Sequence, residues 1–498
     1  MSAESNENGK LLEFERHLWE ATHIITGPVD AADYKTYLFP ILFFKRLCDV
    51  WDEEIAATVE EYGETEEFAK LPEFHRFVIP EGYHWKDVFN TTSDVGKALQ
   101  KAFREIEKTN ERLYGIFGDA QWPNKERLPD RLLHDLLDHY NRLPVGNKQL
   151  RQDKMGDAYE YLIKKFADQS NKKAGEFYTP RAVVRIMVNI LNPKVGESVY
   201  DPACGTGGML LETIHHVKEA GGDPRQLKLF AQEKNLTTES IARMNLLLHG
   251  LEDFEIARGD TLRNPAFHDG DELSQFDCVI ANPPFSLKKW GHDQWVADRY
   301  SRNRYGIPTD SNGDYAWVAH MVCSMKPETG RVAVVMPNGA LFRAGQEGKI
   351  RKALIEADLL EGVIALGANL FYGAGIPATI LLFSAKKKKA LRKKVYLVDA
   401  SEILTTGRAQ NFLTDEQSDE IYALYRDKKE REGVSRIVEL EEIEGNDFNL
   451  SIARYVQKPI EEEKVSVDEA LCDFRMKMKH LEACEERLEG LLEREGLL

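Results

Sequence analysis

Between Glu197 and Lys394 the sequence alternates short apolar, β-branched runs with longer amphipathic stretches, and few architectures accept that rhythm. Strands are predicted at Ser198–Tyr200, Lys228–Gln232, Phe254–Arg258, Asp277–Ala281, Arg331–Met336, Leu359–Ala365 and Ala378–Ser384. Several, such as Thr379-Ile380-Leu381-Leu382-Phe383, are almost wholly apolar, which calls for helices over both faces of the sheet they join. The expected fold is α/β, a doubly wound and mostly parallel sheet.

The flanks read differently. Apolar residues at three- and four-residue spacing (Leu38, Ile41, Leu42) predict a separate helical domain over residues 1–150. A charged helical stretch, Leu150–Asp168, and a polar breaker at Ser170–Gly175 open the α/β domain, assigned to 151–425. Residues 426–498 make a C-terminal region. Val395–Val456 carries only weak signals, but Val465–Leu498 repeats Leu471, Phe474, Met478, Leu481, Leu488 and Leu492 at heptad positions, broken at Glu485. Such a seam needs a partner helix, or folds back on its own domain.

Two strand ends carry chemistry. The first strand runs into Asp201-Pro202-Ala203-Cys204-Gly205-Thr206-Gly207-Gly208, an acid followed by a small-residue turn and an apolar helix start. Small residues let a ligand lie against backbone at the carboxyl end of a strand, where open parallel sheets bind. The spacing differs from the dinucleotide GxGxxG turn, and an acid at the strand tip repels a pyrophosphate while welcoming an amine. The turn therefore favours a zwitterionic, amine-bearing ligand, against the alternative of a purely structural tight turn. The second corner, Asn282-Pro283-Pro284-Phe285, follows the apolar strand ending at Ala281. Two prolines remove backbone donors and stiffen the chain, so carbonyls and the Asn282 amide project from the strand end. An exocyclic amino group offers two N–H donors, which the Asn282 side-chain oxygen and the Pro283 carbonyl can accept while Phe285 stacks on the ring. A plain strand-ending turn is the rival reading.

With Gly175-Glu176-Phe177-Tyr178-Thr179-Pro180-Arg181 ahead of them, these corners form an ordered set. It resembles that of the S-adenosylmethionine (SAM)-dependent DNA adenine-N6 methyltransferases, specifically the modification subunits of type I restriction-modification systems. The resemblance covers most of the chain and implies a role for each position. Asp201 is similar to the carboxylate near the cofactor's methionine amine. Gly205 and Gly207, with Ala203, Thr206 and Gly208, resemble the turn that admits close backbone approach. Glu233 matches the acid on the ribose hydroxyls, and Asp260 the contact to the cofactor's adenine. Phe177, Tyr178, Thr179 and Pro180 look like the element that closes over the cofactor. Asn282, Pro283, Pro284 and Phe285 look like the catalytic corner, with Asn282 also beside the cofactor.

The implied reaction is an in-line displacement in which adenine N6, extruded from the duplex at a cost of roughly a few kcal/mol, attacks the sulfonium methyl. Phe371 or Tyr372 is the candidate second wall of the base pocket. The implied partners are double-stranded DNA, a specificity subunit that the terminal heptads join, a second copy of the chain, and a restriction/translocase subunit. Two alternatives stay open: cytosine-N4 methylation, because the corner can hold either amine, and a catalytically silent, SAM-sensing scaffold.

Charge limits how DNA is held. Lysine plus arginine minus aspartate plus glutamate is 66 − 83 = −17, so contact must be local or shared with a partner. Lys288–Arg304 sets Lys288, Lys289, Arg299, Arg302 and Arg304 against Asp293 and Asp298, a local +3, with Trp290, Trp295 and Tyr300 between them. That composition suits phosphate gripping, or an exposed loop whose aromatics pack down. Lys386–Lys389 is the densest positive run and reads as a solvated turn. The 13 histidines form no metal motif and no P-loop is present, which leaves ATP-dependent steps to another subunit. Six scattered cysteines without a CxxC pair are expected to be reduced core thiols. A polar N-terminus and the lack of any apolar run of about 20 residues point to the cytoplasm and away from a membrane.

Overall fold

In the computed structural model, which describes residues 3–170, 178–457 and 466–497, the apolar runs assemble into one sheet. The strands are β1 (Ser198–Asp201), β2 (Lys228–Glu233), β3 (Phe254–Arg258), β4 (His268–Asp269), β5 (Glu272–Leu273), β6 (Cys278–Ala281), β7 (Arg331–Pro337), β8 (Leu360–Leu366), β9 (Ala378–Ser384), β10 (Lys394–Ala400) and β11 (Ser435–Glu439). Among the described residues β4 and β5 pair only with each other, and the other nine lie in the order β11-β10-β8-β9-β7-β6-β1-β2-β3. Neighbours are parallel except where β9 and β11 run against theirs.

Successive strand residues enter opposite cores: Val199, Cys278 and Ala333 on one face, Tyr200, Val279 and Val334 on the other. The helices Arg181–Leu191, Gly208–Glu219 and Asp415–Asp427 cover the first face, and Asp314–Cys323 and Gln346–Glu356 the second. Strands without a polar face leave no other arrangement open to them. From β1 the chain winds outward to β2 and β3, then crosses back to β6 on the other side of β1. The two strands are neighbours (Val199 beside Cys278) where the winding reverses, the place at which open α/β sheets form a binding crevice.

The N-terminal helices, among them Ala3–Ile25, Tyr34–Tyr62, Val95–Thr109 and Asp130–Asn141, enclose a core that includes Leu18, Leu38, Phe44, Leu99 and Leu136. The helix Gln152–Ser170, which opens the stretch assigned to the α/β domain, buries Met155, Tyr159, Leu162 and Phe166 in this same core. Ile241, Met244, Leu247 and Leu248 of the helix Leu236–Leu248 join it as well, so apolar packing runs unbroken from the helical domain to the sheet domain. The sheet body extends past the boundary expected at 425: β11 pairs with β10, and Leu450, Ile452 and Tyr455 pack in the sheet core, so the body runs to Val456.

A second unit, Gln457–Leu498, holds the helix Val467–Arg494. A reciprocal cap opens it: Ser466 Oγ accepts from Glu469 N at 3.2 Å, and the Glu469 carboxylate accepts from Ser466 N at 3.0 Å. No residue of this helix is buried. Cys472 and Cys484 lie exposed on it, against the expectation of core thiols, because the helix has no core of its own; Cys48, Cys204, Cys278 and Cys323 are buried. Among the described residues no helix is long and apolar enough to cross a membrane.

Candidate active site

The two chemical corners meet at the switch point. A cavity of about 540 Å³ is lined by Asp201, Ala203, Gly205, Thr206 and Gly208 from the end of β1 and by Asn282 from the end of β6. Tyr178 and Thr179, just ahead of the helix Arg181–Leu191, line it too. Gly207 sits behind this lining at φ +81°, and a Cβ there would stand 3.6 Å from that of Ala242, so the left-handed turn rather than lack of space selects glycine. At Gly208 an added Cβ would meet nothing within 4 Å and would take up open space.

Asp201 is 1% exposed, and its carboxylate accepts from Ala203 N at 3.1 Å. Burial, reinforced by the charge of Glu233 and opposed by that hydrogen bond, pushes the carboxyl up to about 8. Glu15, Asp157, Glu160 and Glu212 add to the acidic wall, with Arg181 and Lys164 the cations among the lining residues. Arg181 bridges Glu212 (3.4 Å) and Glu160 (3.8 Å) across the seam between the domains. Burial and the nearby Asp157 raise the Glu15 carboxyl. A ligand with positive charge complements such a wall.

Asn282 Nδ2 donates to Thr179 Oγ1 at 3.0 Å, which fixes the amide and leaves Oδ1 buried without a hydrogen-bond partner. A buried orphan acceptor costs about 1–3 kcal/mol, and an incoming N–H relieves it. Pro283 is buried, while Pro284 and Phe285 are half-buried. The Phe285 ring meets Phe371 at 6.1 Å and 61°. Phe371 is itself buried in the sheet core, and the Tyr372 hydroxyl donates to Asp168 at 2.7 Å while its ring meets Tyr178 at 5.5 Å. Phe371 thus buttresses Phe285 and Tyr372 braces the Tyr178 segment.

Other expected residues stand apart from the lining. Glu233 accepts from Gly205 N at 3.1 Å and from Asn235 N at 2.8 Å, tying the glycine turn to the next helix. Asp260 pairs with Lys234 (2.9 Å) and Arg263 (3.6 Å). Pro180 caps the start of its helix, and Phe177 lies outside the described residues.

Asn245 is a lining residue that sequence reasoning misses. It is fully buried, its Nδ2 donates to the Thr206 carbonyl at 3.0 Å, and its Oδ1 has no partner. The available signal was one asparagine inside the apolar run Met244–Leu248.

Burial also pushes the thiols of Cys204 and Cys278 up, the latter to about 12, so neither offers a thiolate nucleophile. The basic segment after the corner divides in two. Trp290, Trp295 and Arg302 are buried, with Arg302 paired to Asp298 at 2.6 Å and 4.5 Å above the Trp295 ring, so these indoles serve packing and not stacking on nucleic acid. Lys288, Lys289, Arg299 and Arg304 remain exposed.

Sheet, glycine turn and acceptor corner together define a SAM-dependent methyltransferase of the kind that modifies an exocyclic amine. The N-6 DNA methylase family profile matches residues 150–464, and the HsdM N-terminal domain profile matches residues 14–140. The chain is 32% identical over 488 residues to the type I restriction enzyme MjaVII methylase subunit of Methanocaldococcus jannaschii, covering 93% of this chain and 82% of that one. To the HindI methylase subunit of Haemophilus influenzae it is 31% identical over 378 residues, with 73% and 83% covered. The crystal structure of the type I restriction-modification methyltransferase subunit from Streptococcus thermophilus aligns with a TM-score of 0.79 at 30% identity, over 90% of this chain and 99% of that one. The chain therefore belongs to the N-6 DNA methylases, and among them to the methylase subunits of type I restriction enzymes. Its activity is transfer of a methyl group from SAM to adenine N6 in DNA, and neither the cytosine-N4 nor the silent-scaffold alternative has support.

Proposed function

We propose that the corner Asn282–Phe285 receives the extruded adenine while the Asp201–Gly208 turn, with Tyr178 and Thr179, holds SAM against it. The observation that carries this division of labour is the buried, unpartnered Asn282 Oδ1 at the edge of the glycine-lined cavity. Asn282 Oδ1 and the Pro283 carbonyl accept the two N–H groups of the amine and so direct its lone pair outward. Phe285 stacks on the base, worth about 1–3 kcal/mol, which offsets extrusion costing roughly a few kcal/mol. Asp201 accepts from the cofactor's ammonium, and Glu233 and Asp260, beyond the ends of adjacent strands, serve its ribose and adenine. Bound SAM supplies an electrophilic methyl group, and the chain needs no nucleophile of its own.

Asn282→Ala, followed by methyl-transfer kinetics and calorimetric SAM binding, tests this. Transfer should fall about 10²–10³-fold, the usual cost of one preorganised transition-state contact. SAM affinity should change by about tenfold or less, since the lost Thr179 hydrogen bond is worth roughly 0.5–1.5 kcal/mol. Equal losses of binding and transfer would undo the assignment.

The assembly proposed is that of a type I enzyme in the cytoplasm: this chain, a second copy, a specificity subunit and a restriction/translocase subunit on double-stranded DNA. The helix Val467–Arg494 exposes Leu471, Phe474, Met478, Leu481 and Leu488, a seam suited to a helix of the specificity subunit.

A further inference from the structure

We propose that Lys288 and Lys289 grip the DNA phosphates beside the extruded base, as a preorganised pair of cations on the turn that follows the catalytic corner. The proposal rests on the active-site reading above and deepens it.

The turn is fixed from several sides before any ligand arrives. Ser286 N donates to Asp314 Oδ1 at 2.7 Å, and Asp314 is fully buried. Lys289 N donates to the Asp310 carbonyl at 3.2 Å, and the Lys289 carbonyl accepts from Arg263 Nη2 at 2.6 Å. Trp290 is anchored through its Nε1 to the Thr309 carbonyl (2.9 Å) and packs edge-on against buried Trp295 at 5.1 Å. These bonds hold Lys289 at φ +52°, a conformation a lysine seldom adopts unaided. The indoles thus act as a pedestal, and on binding a phosphate only the two lysine side chains lose freedom.

Both ammonium groups are also available. Neither Lys288 nor Lys289 makes an ion pair among the described residues, in a chain of net charge −17. Arg302 is taken by Asp298 at 2.6 Å, and Arg299 faces Asp271 at 3.9 Å. Position follows from chain length: the Lys288 Cα lies within about 11 Å of that of Phe285, three residues at roughly 3.6 Å each, so the pair reaches the backbone flanking a base held at the corner.

The denser run Lys386–Lys389 is placed differently. β9 is antiparallel to β7, with Ser384 beside Arg331, so this run leaves the sheet at the edge where β7 begins, opposite the edge that carries Asn282. Lys387 is buried on Asp358 at 2.7 Å.

The test uses the full chain assembled with its specificity subunit and measures how kcat/KM for DNA depends on salt, in wild type, K288Q/K289Q and K388Q/K389Q. Each phosphate contact contributes about 0.9 to the slope of log affinity against log salt, so K288Q/K289Q should be shallower by about 1.8. Over a fourfold rise in salt the wild type then loses about 12-fold more than this variant. K388Q/K389Q should keep the wild-type slope, and SAM binding and melting temperature should match in all three. An unchanged slope in K288Q/K289Q, or equal flattening in both variants, overturns the proposal. Equal losses of SAM binding and methyl transfer in Asn282→Ala, assayed in the same complex, would instead overturn the active-site reading on which it rests.

Discussion

If Asp201 accepts from the cofactor's ammonium as proposed, its titration should report directly on SAM binding. Its carboxyl titrates near 8 in the free protein because burial penalises the charge, yet it must be ionised to accept from an ammonium group. One pKa unit corresponds to about 1.36 kcal/mol, so about 1% of the sites are ready at two units below the midpoint and about 10% at one. SAM affinity should therefore climb about tenfold between roughly pH 6 and 7 and peak near 8, where the ligand's own amine, of the α-amino type titrating at about 7.7–8.0, begins to lose its proton. Calorimetry in two buffers of different ionisation enthalpy should show close to one proton released per SAM bound near neutral pH. Asp201→Asn should bind weakly and lose the climb.

Folding should respond in the opposite sense. A carboxyl whose folded pKa stands above its unfolded value of about 3.9 destabilises the free protein as pH rises from about 4 to 8, by roughly 5 kcal/mol in total. Asp201→Asn, which carries no charge, should consequently melt higher than wild type near pH 8 and not near pH 4. Affinity that stays flat from about pH 6 to 8, or an Asn variant that keeps the wild-type pH dependence, would refute the burial argument.

Neighbouring substitutions should separate turn geometry from cavity space. Gly207→Ala, at φ +81°, should lower the melting temperature, since a left-handed non-glycine residue costs about 1–2 kcal/mol. Gly208→Ala should keep the fold and weaken SAM binding, because its Cβ takes open space that the ligand needs; calorimetry beside a melting curve distinguishes the two. Asn245→Leu removes the donor to the Thr206 carbonyl, worth about 1 kcal/mol, and should weaken SAM binding roughly fivefold or more while leaving the KM for DNA in place. Truncation after residue 457 should leave melting and SAM binding intact and abolish co-purification with the specificity subunit, and a truncated chain that still co-purifies would place that contact elsewhere.

Legibility in the sequence followed the physics of each segment. β3 and β9 have the predicted limits, because short apolar runs between helical stretches have few other uses. β10 was hidden because it begins at the end of a lysine-rich stretch, and β11 because its exposed positions make it an edge strand with mixed polarity. That the helix Gln152–Ser170 packs on the N-terminal core was not legible, because amphipathicity tells that a face is buried and not which core buries it. Whether Trp290 and Trp295 pack down stayed open for a similar reason: composition does not say which way an aromatic ring points.

Taken alone, the sequence determined the class of sheet, the order of the three motifs and the chemistry each can do, since apolar periodicity, glycine and proline conformations and donor–acceptor inventories are local properties. Tertiary structure decided what depends on distant segments meeting. It set β1 beside β6 so that the glycine turn and the Asn-Pro-Pro-Phe corner share one cavity. It also brought Glu15 of the N-terminal helix and Asp157 and Glu160 of the helix Gln152–Ser170 to that cavity, placed Asn245 beneath the turn, and buried Asp201 deeply enough to raise its carboxyl. Burial and proximity are properties of the packed whole, and neither is encoded in any one stretch of the chain.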